Sequence, residues 1–186
     1  KYSEGISESD LNGWVQLHRN YHFLKNGNLL WMSERDGWHH IYLHTFEGEV
    51  LHQVTSGTWE VKKIVGVDED REKVYFMANK ESVFENRLYS VNFDGSNLKL
   101  LTTESGTHSV KVFPNFSGFI DSYSNLNTPS RHLLKDINGN LIKTISETDK
   151  SQFEEYDWSY PSIIQFPSAD KSMVLDGIIT LPPNYK

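Results

Sequence analysis

Apolar and polar positions alternate along most of this chain with the period of a β-strand rather than that of a helix. Short runs rich in β-branched and aromatic residues are separated by turns containing Asn-Gly or Asp-Gly, and no stretch has a convincing 3.6-residue period. In residues 74–78 (Val-Tyr-Phe-Met-Ala) both faces are apolar, which is typical of a strand covered on both sides. The pattern predicts an all-β protein with very little helix.

The strand pattern also repeats at intervals of about 45 residues. Residues 56–61 (Ser-Gly-Thr-Trp-Glu-Val) return as Ser-Gly-Thr-His-Ser-Val at 105–110, 49 positions later, and Gly48, Gly95 and Gly139 are 47 and 44 apart. A strand-rich repeat of this length is typical of propeller blades, each of which is a four-stranded sheet that cannot bury its faces alone. The sequence therefore predicts a partial β-propeller of about three four-stranded antiparallel blades.

The expected boundaries follow from the repeat. The partial propeller covers 1–147, with blades near 14–57, 58–106 and 107–147. The expected strands are 15–24, 28–34, 39–45, 50–55, 60–66, 73–79, 87–93, 97–102, 109–114, 118–124, 130–136 and 140–146.

After residue 147 the pattern breaks. Residues 148–160 are polar and acidic and indicate a linker, whereas 161–186 contains two strand-like runs around a turn at 167–171. We expect this part to form an antiparallel hairpin that is the truncated beginning of a further domain. The chain starts at Lys1 and shows no apolar signal region, so we expect an excised or processed piece.

Composition narrows the classes of function. A net charge of −7 without a basic stripe argues against a nucleic-acid partner, and no apolar run has the length of a membrane span. The chain has no cysteine, which excludes disulfides, zinc–thiolate sites and thiol nucleophiles within it.

His39, His40 and His44 are candidate ligands for a metal ion, but their spacing argues against a metal site. His40 and His44 share a face of the predicted strand 39–45, and positions four apart along a strand are separated by roughly 13 Å. One ion holds its ligands at about 2 Å, so these two side chains cannot share it. We predict surface or inter-blade histidines, no metal and no cofactor.

Other conspicuous residues have structural interpretations. The acidic run 68–70 is predicted to be a solvated loop, and 33–37 a tight hairpin turn rather than a calcium loop. Trp14 and Trp59 stand 45 apart at equivalent repeat positions, so the tryptophans are predicted to pack between blades. These tryptophans are Trp14, Trp31, Trp38, Trp59 and Trp158.

Three runs carry a resemblance to a known family. They are 31–38 (Trp-Met-Ser-Glu-Arg-Asp-Gly-Trp) with His40 and Tyr42 just after, 57–61 (Gly-Thr-Trp-Glu-Val), and 175–185 (Leu-Asp-Gly-Ile-Ile-Thr-Leu-Pro-Pro-Asn-Tyr). In this order they resemble the dipeptidyl peptidase IV branch of the prolyl oligopeptidase family, bacterial members above all, over residues 14–186. The resemblance implies a propeller that caps an α/β-hydrolase domain, whose first strands would be 161–186.

The resemblance also implies a function for the parent protein. Such enzymes are serine exopeptidases that remove dipeptides, or tripeptides, from peptide amino termini, favouring proline or alanine before the cut. The propeller would gate and position the peptide substrate, and the location would be periplasmic or secreted. No serine here lies in a Gly-x-Ser-x-Gly elbow, since Ser117 lacks the preceding glycine. We assign no catalytic residue and expect the fragment to be inactive.

The resemblance suggests two substrate-binding residues. His18 and Arg19 follow 13–15 (Gly-Trp-Val), where some family members place an arginine near the active site. The forked N–H donors of an arginine guanidinium suit a contact with a carboxylate or carbonyl. The alternative is a solvated arginine on an edge strand. The pair Glu154-Glu155 lies in the linker and is interpreted as an acidic connector, not as the family's amine-binding pair.

Two alternatives for the function stay open. One is a non-enzymatic propeller that serves as a scaffold for protein or carbohydrate binding. The other is a different oligopeptidase branch, such as an acylaminoacyl peptidase. In every case, three blades with open faces and strand edges predict self-association of the fragment.

Overall fold

The described residues fold into three four-stranded sheets and one separate hairpin. The computed structural model describes residues 6–9, 13–15, 20–149, 151 and 155–185, and within them no α-helix forms. Sheet 1 contains β1 (Tyr21–Phe23), β2 (Leu29–Ser33), β3 (His40–His44) and β4 (Val50–Gln53). Sheet 2 contains β5 (Val61–Asp68), β6 (Lys73–Ala78), β7 (Arg87–Asn92) and β8 (Lys99–Leu100). Sheet 3 contains β9 (Thr107–Val112), β10 (Gly118–Asn125), β11 (Thr128–Asp136) and β12 (Leu141–Glu147).

Strand order follows chain order in every sheet. Each strand pairs antiparallel with the next, as a series of hairpins does. The predicted all-β fold with four-stranded antiparallel sheets is therefore confirmed. In the described part of the chain no helix is long and apolar enough to span a membrane.

Sheet 2 is packed on both faces, as the apolar run 74–78 predicts. Alternate residues of β6 enter two different cores, because successive side chains on a strand point to opposite faces. Val74, Phe76 and Ala78 join a cluster shared with sheet 1. Tyr75 and Met77 join a cluster shared with sheet 3. Burial of each large side chain contributes about 2 kcal/mol to the stability of the fold. Since the side chains of β6 are buried in both clusters, this strand links sheets 1 and 3 through sheet 2.

The connection between sheets 1 and 2 is fixed by a tryptophan and a histidine. Trp59 is 8% exposed and stacks on Phe76 and Tyr89 of sheet 2. Its ring also meets the edge of His40, whose Nε2 lies 2.9 Å from the carbonyl oxygen of Gly57. His40 is therefore an inter-sheet histidine, one of the two roles predicted for it.

Two expected features are wrong. Trp14, Trp38 and Trp158 are 85%, 39% and 57% exposed, so these three tryptophans do not pack between the sheets that the structure describes. The run 68–70 is not simply solvated: Asp68 is buried and accepts a hydrogen bond from Arg71, and Glu69 accepts one from the backbone N–H of Lys25 at 2.7 Å. The Glu69 carboxylate therefore links the β5–β6 turn to the turn between β1 and β2 of sheet 1.

Some strands differ in length from expectation. The first strand, expected at 15–24, is only Tyr21–Phe23 within the described residues, and the expected 97–102 is Lys99–Leu100. This strand ends at Leu100 because the hydroxyl of Thr102 accepts the hydrogen bond of the Leu88 backbone N–H at 2.9 Å, in place of a ladder carbonyl. Thr55 receives the N–H of Ile41 in the same way in sheet 1.

The expected hairpin near the end of the chain is present. β13 (Ser162–Pro167) pairs antiparallel with β14 (Val174–Ile179), and these two strands join no other sheet. Apolar side chains of both strands are exposed on both faces, including Ile163, Ile164, Val174 and Ile178. A lone two-stranded hairpin is marginally stable in water, so its apolar faces need a further partner.

Candidate functional site

The two predicted substrate-binding residues, His18 and Arg19, lie outside the described residues. The described part of the chain on either side of them ends at Val15 and resumes at Asn20. Their proposed contact with substrate therefore stays a prediction. Glu155, the described member of the acidic pair, is exposed in the segment between sheet 3 and the hairpin.

The strongest concentration of ionisable groups in the described residues lies inside sheet 3. His108 on β9, Asp121 on β10 and Lys135 on β11 meet Glu104, which precedes β9, and we call these four residues the buried charge cluster. Nδ1 of His108 lies 2.8 Å from Oδ1 of Asp121, and Nζ of Lys135 lies 2.6 Å from Oε2 of Glu104. The side chains of His108 and Asp121 are fully buried, and that of Lys135 is 2% exposed.

The backbone of sheet 3 explains why these groups meet. Asp121 pairs with Val110 on one side and Leu133 on the other, so His108, Asp121 and Lys135 project from the same face. That face points toward sheet 2, since Phe119 and Val110 belong to the cluster shared with it. Three polar side chains therefore take core positions and must satisfy one another there.

Electrostatics within the buried charge cluster favour the charged form of Glu104. Burial alone would raise the pKa of the Glu104 carboxyl, but the hydrogen bond and positive charge of Lys135 outweigh burial and hold the pKa below its ordinary value of 4.5. Lys135 also lies 3.2 Å from Oδ2 of Asp121. That oxygen has no hydrogen bond among the described residues, so the contact is an ion pair only.

The His108–Asp121 pair has the geometry of two members of a catalytic triad but not the third. In a triad the second ring nitrogen of the histidine faces a serine hydroxyl. Here Nε2 of His108 lies 2.9 Å from the backbone carbonyl oxygen of Glu104, and the ring stacks on Tyr123 with 5.0 Å between centroids. The histidine is therefore fully engaged and fixes the segment that joins sheets 2 and 3.

A serine–histidine contact lies on the opposite face of sheet 3. Ser122 and His132 are cross-strand neighbours, and 2.7 Å separates Oγ from Nδ1. No carboxylate is hydrogen-bonded to His132 among the described residues, and Ser122 lies within a strand rather than on a strand-to-helix turn. The pair lacks the orienting carboxylate and the exposed nucleophile that acyl transfer requires.

A cavity of about 540 Å³ lies between the loops of sheets 2 and 3 and the hairpin. Its walls include Phe84 and Leu126 from the loops and Ile163 and Ile178 from the hairpin. Its carboxylate, Glu85, is already engaged by Arg87 at 2.8 Å and by the hydroxyl of Ser105 at 2.5 Å. The cavity is large enough for a small ligand, but these contacts leave Glu85 committed to the protein.

The outer face of sheet 1 is polar and aromatic. The guanidinium of Arg35 lies 4.5 Å from the ring centroid of Tyr42 and 2.8 Å from Glu8. Burial and the nearby Asp36 carboxylate raise the pKa of Tyr42 to about 12. No group of three or more His, Asp or Glu side chains that could hold a metal ion exists among the described residues.

The sequence interpretation missed the buried charge cluster, although a signal for it exists. Asp121 lies midway between Phe119 and Tyr123, and Lys135 follows Leu133 by two positions, so both charges are in phase with core residues. The phase of a charge within an alternating strand could therefore have identified two of the four residues. Glu104 lies outside any strand and gives no such signal.

Comparisons with known proteins agree with this fold. A family model described as the dipeptidyl peptidase IV (DPP IV) N-terminal region matches residues 2–130. Dipeptidyl peptidase 4 of Arthroderma otae is 30% identical over 198 residues, covering 100% of this chain and 25% of the relative. Dipeptidyl peptidase 4 of Trichophyton rubrum is 27% identical over 197 residues, with 100% and 25% covered.

Two solved structures share the fold. The crystal structure of Porphyromonas gingivalis dipeptidyl peptidase 4 superposes with a TM-score of 0.83 at 23% identity, covering 90% of this chain and 24% of that one. A putative dipeptidyl aminopeptidase IV from Bacteroides ovatus superposes with a TM-score of 0.76 at 21% identity, covering 89% and 26%.

These matches show the family of the chain and how much of its relatives it covers. It spans about a quarter of the length of the curated relatives that it matches. The three sheets are part of a β-propeller, as the repeat predicts. The chain belongs to the family of the dipeptidyl peptidase IV N-terminal region.

Proposed function

We propose that this chain is the propeller part of a serine-type dipeptidyl, or tripeptidyl, aminopeptidase. In this proposal the sheets gate access to the active site and position peptide amino termini, and a hydrolase domain elsewhere in the longer protein cleaves the peptide bond. The proposal rests on the family of the chain and on its covering about a quarter of its relatives. His18 and Arg19 are the residues proposed to contact the substrate.

The packing of sheet 2 on both faces is the observation that carries the gating role. A gate that admits peptide ends and rejects folded proteins must keep its shape while substrates arrive. β6 contributes to two apolar clusters, and Lys135 of the buried charge cluster adds ionic contacts to the junction of sheets 2 and 3. This packing therefore supports a rigid wall for the proposed gate.

We propose that the hairpin of β13 and β14 is the beginning of the hydrolase domain. Its strands join none of the three sheets, and its apolar side chains are exposed on both faces. Burial of these side chains by further strands of a larger domain would stabilise the hairpin. The cavity between the hairpin and the loops of sheets 2 and 3 would then lie at the junction of the two domains.

A chromogenic Gly-Pro amide tests the peptidase assignment. We expect the full-length protein to release the chromophore and the 186-residue chain alone to leave the amide intact, because the described residues contain no activated serine. Turnover by the chain alone would contradict the absence of a nucleophile. An inactive full-length protein that binds other proteins or carbohydrates would favour the scaffold instead.

Self-association and location are further parts of the proposal. Free sheet faces and strand edges of the isolated chain would favour contacts between copies, which light scattering can measure as a mass above that of one chain. A stable monomer at all concentrations would contradict this part. The periplasmic or secreted location rests on the family resemblance, and fractionation of source cells would test it.

A further inference from the structure

Sheets 2 and 3 converge along their first strands, β5 and β9. The fourth strands lie at the opposite edges and are open: every residue of β4 is exposed, and so is every residue of β12 except Thr144. On β5 and β9, by contrast, Val61, His108 and Val110 are buried between sheets, and β9 packs against β5. Sheets arranged around an axis approach one another at their inner edges, so β5 and β9 lie toward the central channel of the propeller.

The first strand of sheet 2 is irregular at this inner edge. The pairing of β5 with β6 shifts in register between Val61 and Lys63, and again between Ile64 and Gly66, whereas β9 pairs with β10 without a shift. The first shift makes Lys62 an extra residue without a cross-strand partner. A bulge of this kind bends its strand and re-aims a side chain, and bulges are over-represented next to active sites.

The bulge exposes two consecutive lysines, Lys62 and Lys63, which we call the inner lysine pair. Neighbouring side chains of a regular strand point to opposite faces, so in a sheet that is packed on both faces neither would be expected to reach solvent. Lys62 forms an ion pair with Glu60. Lys63 has no hydrogen-bond or ion-pair partner in the part of the chain that the structure describes. One ammonium group at the inner edge therefore remains available to a ligand.

The inner edge has the opposite sign of charge to the chain as a whole. The exposed charged side chains of β5 and β9 are all lysines, namely the inner lysine pair and Lys111. The carboxylate of Asp68, at the end of β5, is buried and paired with Arg71. The net charge of the 186 residues is −7. Positive side chains that line a channel raise the local concentration of anions there.

We propose that the inner lysine pair binds carboxylates of the substrate and favours peptides with acidic side chains downstream of the cut. This inference rests on the proposed function and specifies its substrate class. An ammonium group on a flexible stem is a point charge without a fixed geometry, so it favours negative charge over a range of positions. The expected result is a preference among peptides rather than a strict requirement for one residue.

A carboxylate from another part of the longer protein is the competing partner for Lys63. In that case, removal of the lysine charge would lower the stability of the full-length protein and leave the preference among peptides unchanged. A peptide carboxylate predicts the reverse, because the partner is then present only while substrate is bound. Thermal unfolding of the full-length protein without substrate therefore distinguishes the two partners.

Paired peptides measure the preference directly. Two peptides beginning with Gly-Pro would carry either glutamate or lysine at the three positions after the cut, and their ratio of kcat/KM would be compared in the full-length protein and its variants. We expect Lys63→Gln to lower the glutamate-to-lysine ratio about threefold, the size of effect that one exposed ion pair gives. The difference should vanish at about 1 M salt, where the screening length is about 3 Å.

Two further variants serve as controls. Lys143→Gln removes the same charge from an exposed position on β12, at the outer edge of sheet 3, and should leave the ratio unchanged. Lys63→Arg keeps the charge at the inner edge and should keep the preference. The neutral Gly-Pro amide has no charge downstream of the cut, so every variant that folds should cleave it at the native rate.

The outcomes separate this inference from the peptidase assignment. An unchanged ratio in a Lys63→Gln protein that still cleaves Gly-Pro amide would overturn the role of the inner lysine pair alone. For a full-length protein that cleaves no peptide, fluorescence anisotropy of the two labelled peptides measures binding instead. Tighter binding of the acidic peptide that is lost in Lys63→Gln would then support the inner lysine pair and reject the peptidase, whereas equal binding of both peptides would overturn both.

Discussion

His108 and Asp121 are hydrogen-bonded between adjacent strands of sheet 3, with 2.8 Å between Nδ1 and Oδ1 and no solvent exposure of either side chain. Lys135 joins the same carboxylate from the third strand and is 2% exposed. Because charges in an apolar core are costly unless they are paired, each member depends on the others. Because of this interdependence, a substitution within the buried charge cluster should weaken the junction between sheets 2 and 3.

Asp121→Asn should destabilise the chain strongly. The substitution keeps the shape of the side chain but leaves Lys135 with one carboxylate, and breaking a buried pair costs about 3 kcal/mol or more in free energy of unfolding. Asp70→Asn is the control, because its ion pair with Lys25 is exposed and worth less than about 1 kcal/mol. Urea unfolding of both variants measures the difference, and equal losses would contradict the role of the cluster.

Gly139→Ala should destabilise more than Gly27→Ala. Both glycines have nearly the same positive φ, 93° and 90°, so the backbone strain of an alanine is matched. A Cβ at 27 meets nothing within 4 Å, whereas one at 139 overlaps the carbonyl oxygen of Leu101. We expect an additional loss of about 1–3 kcal/mol at 139 from overpacking. Thermal unfolding measures both variants. Equal losses of stability at the two positions would show that the turn 136–139 between β11 and β12 is not in firm contact with sheet 2.

The buried charge cluster also predicts a dependence of stability on pH. The pKa of Glu104 is lower in the folded chain than its ordinary value of 4.5, so the folded state binds this proton more weakly than the unfolded state does. The stabilisation is complete above about pH 4.5 and is lost as the pH falls through the lower folded pKa. The difference in free energy of unfolding between the native chain and Glu104→Gln should therefore shrink below pH 4.5.

Lys135→Met supplies the control for the pH prediction. Lys135 provides the hydrogen bond and charge that lower the pKa of Glu104, so the effect of Glu104→Gln should depend much less on pH when Lys135 is absent. Chemical denaturation of the four variants across the acidic range completes the cycle. An unchanged pH dependence in the Lys135→Met background would assign the effect to other groups.

The sheets could be predicted from sequence because their signals are local. Turn glycines such as Gly95 and Gly139 mark the hairpins, and the doubly apolar run 74–78 marks the central strand of the packed sheets. The burial of tryptophans could not be predicted in this way. Trp59 and Trp14 occupy equivalent repeat positions, but only Trp59 lies between two sheets of the described structure.

The buried charge cluster escaped prediction for a physical reason. Charged residues are expected at the surface, and only the partner that satisfies them makes a core position acceptable. The partner of Lys135 is Glu104, 31 residues away and outside any strand. A pairing over this distance depends on the register of three strands and on the path of the segment between sheets. Neither is visible in a single sequence.

The size of the product that the full-length protein releases from a peptide is the most direct test of the account. Mass spectrometry of a peptide with proline or alanine at its second position should show the first two residues leaving as an intact dipeptide, or the first three as an intact tripeptide. The same peptide with an acetylated amino terminus should stay uncut, because a propeller that positions free amino termini would not admit it productively. Release of the acetylated residue, internal cleavage, or no cleavage of either peptide would contradict the account.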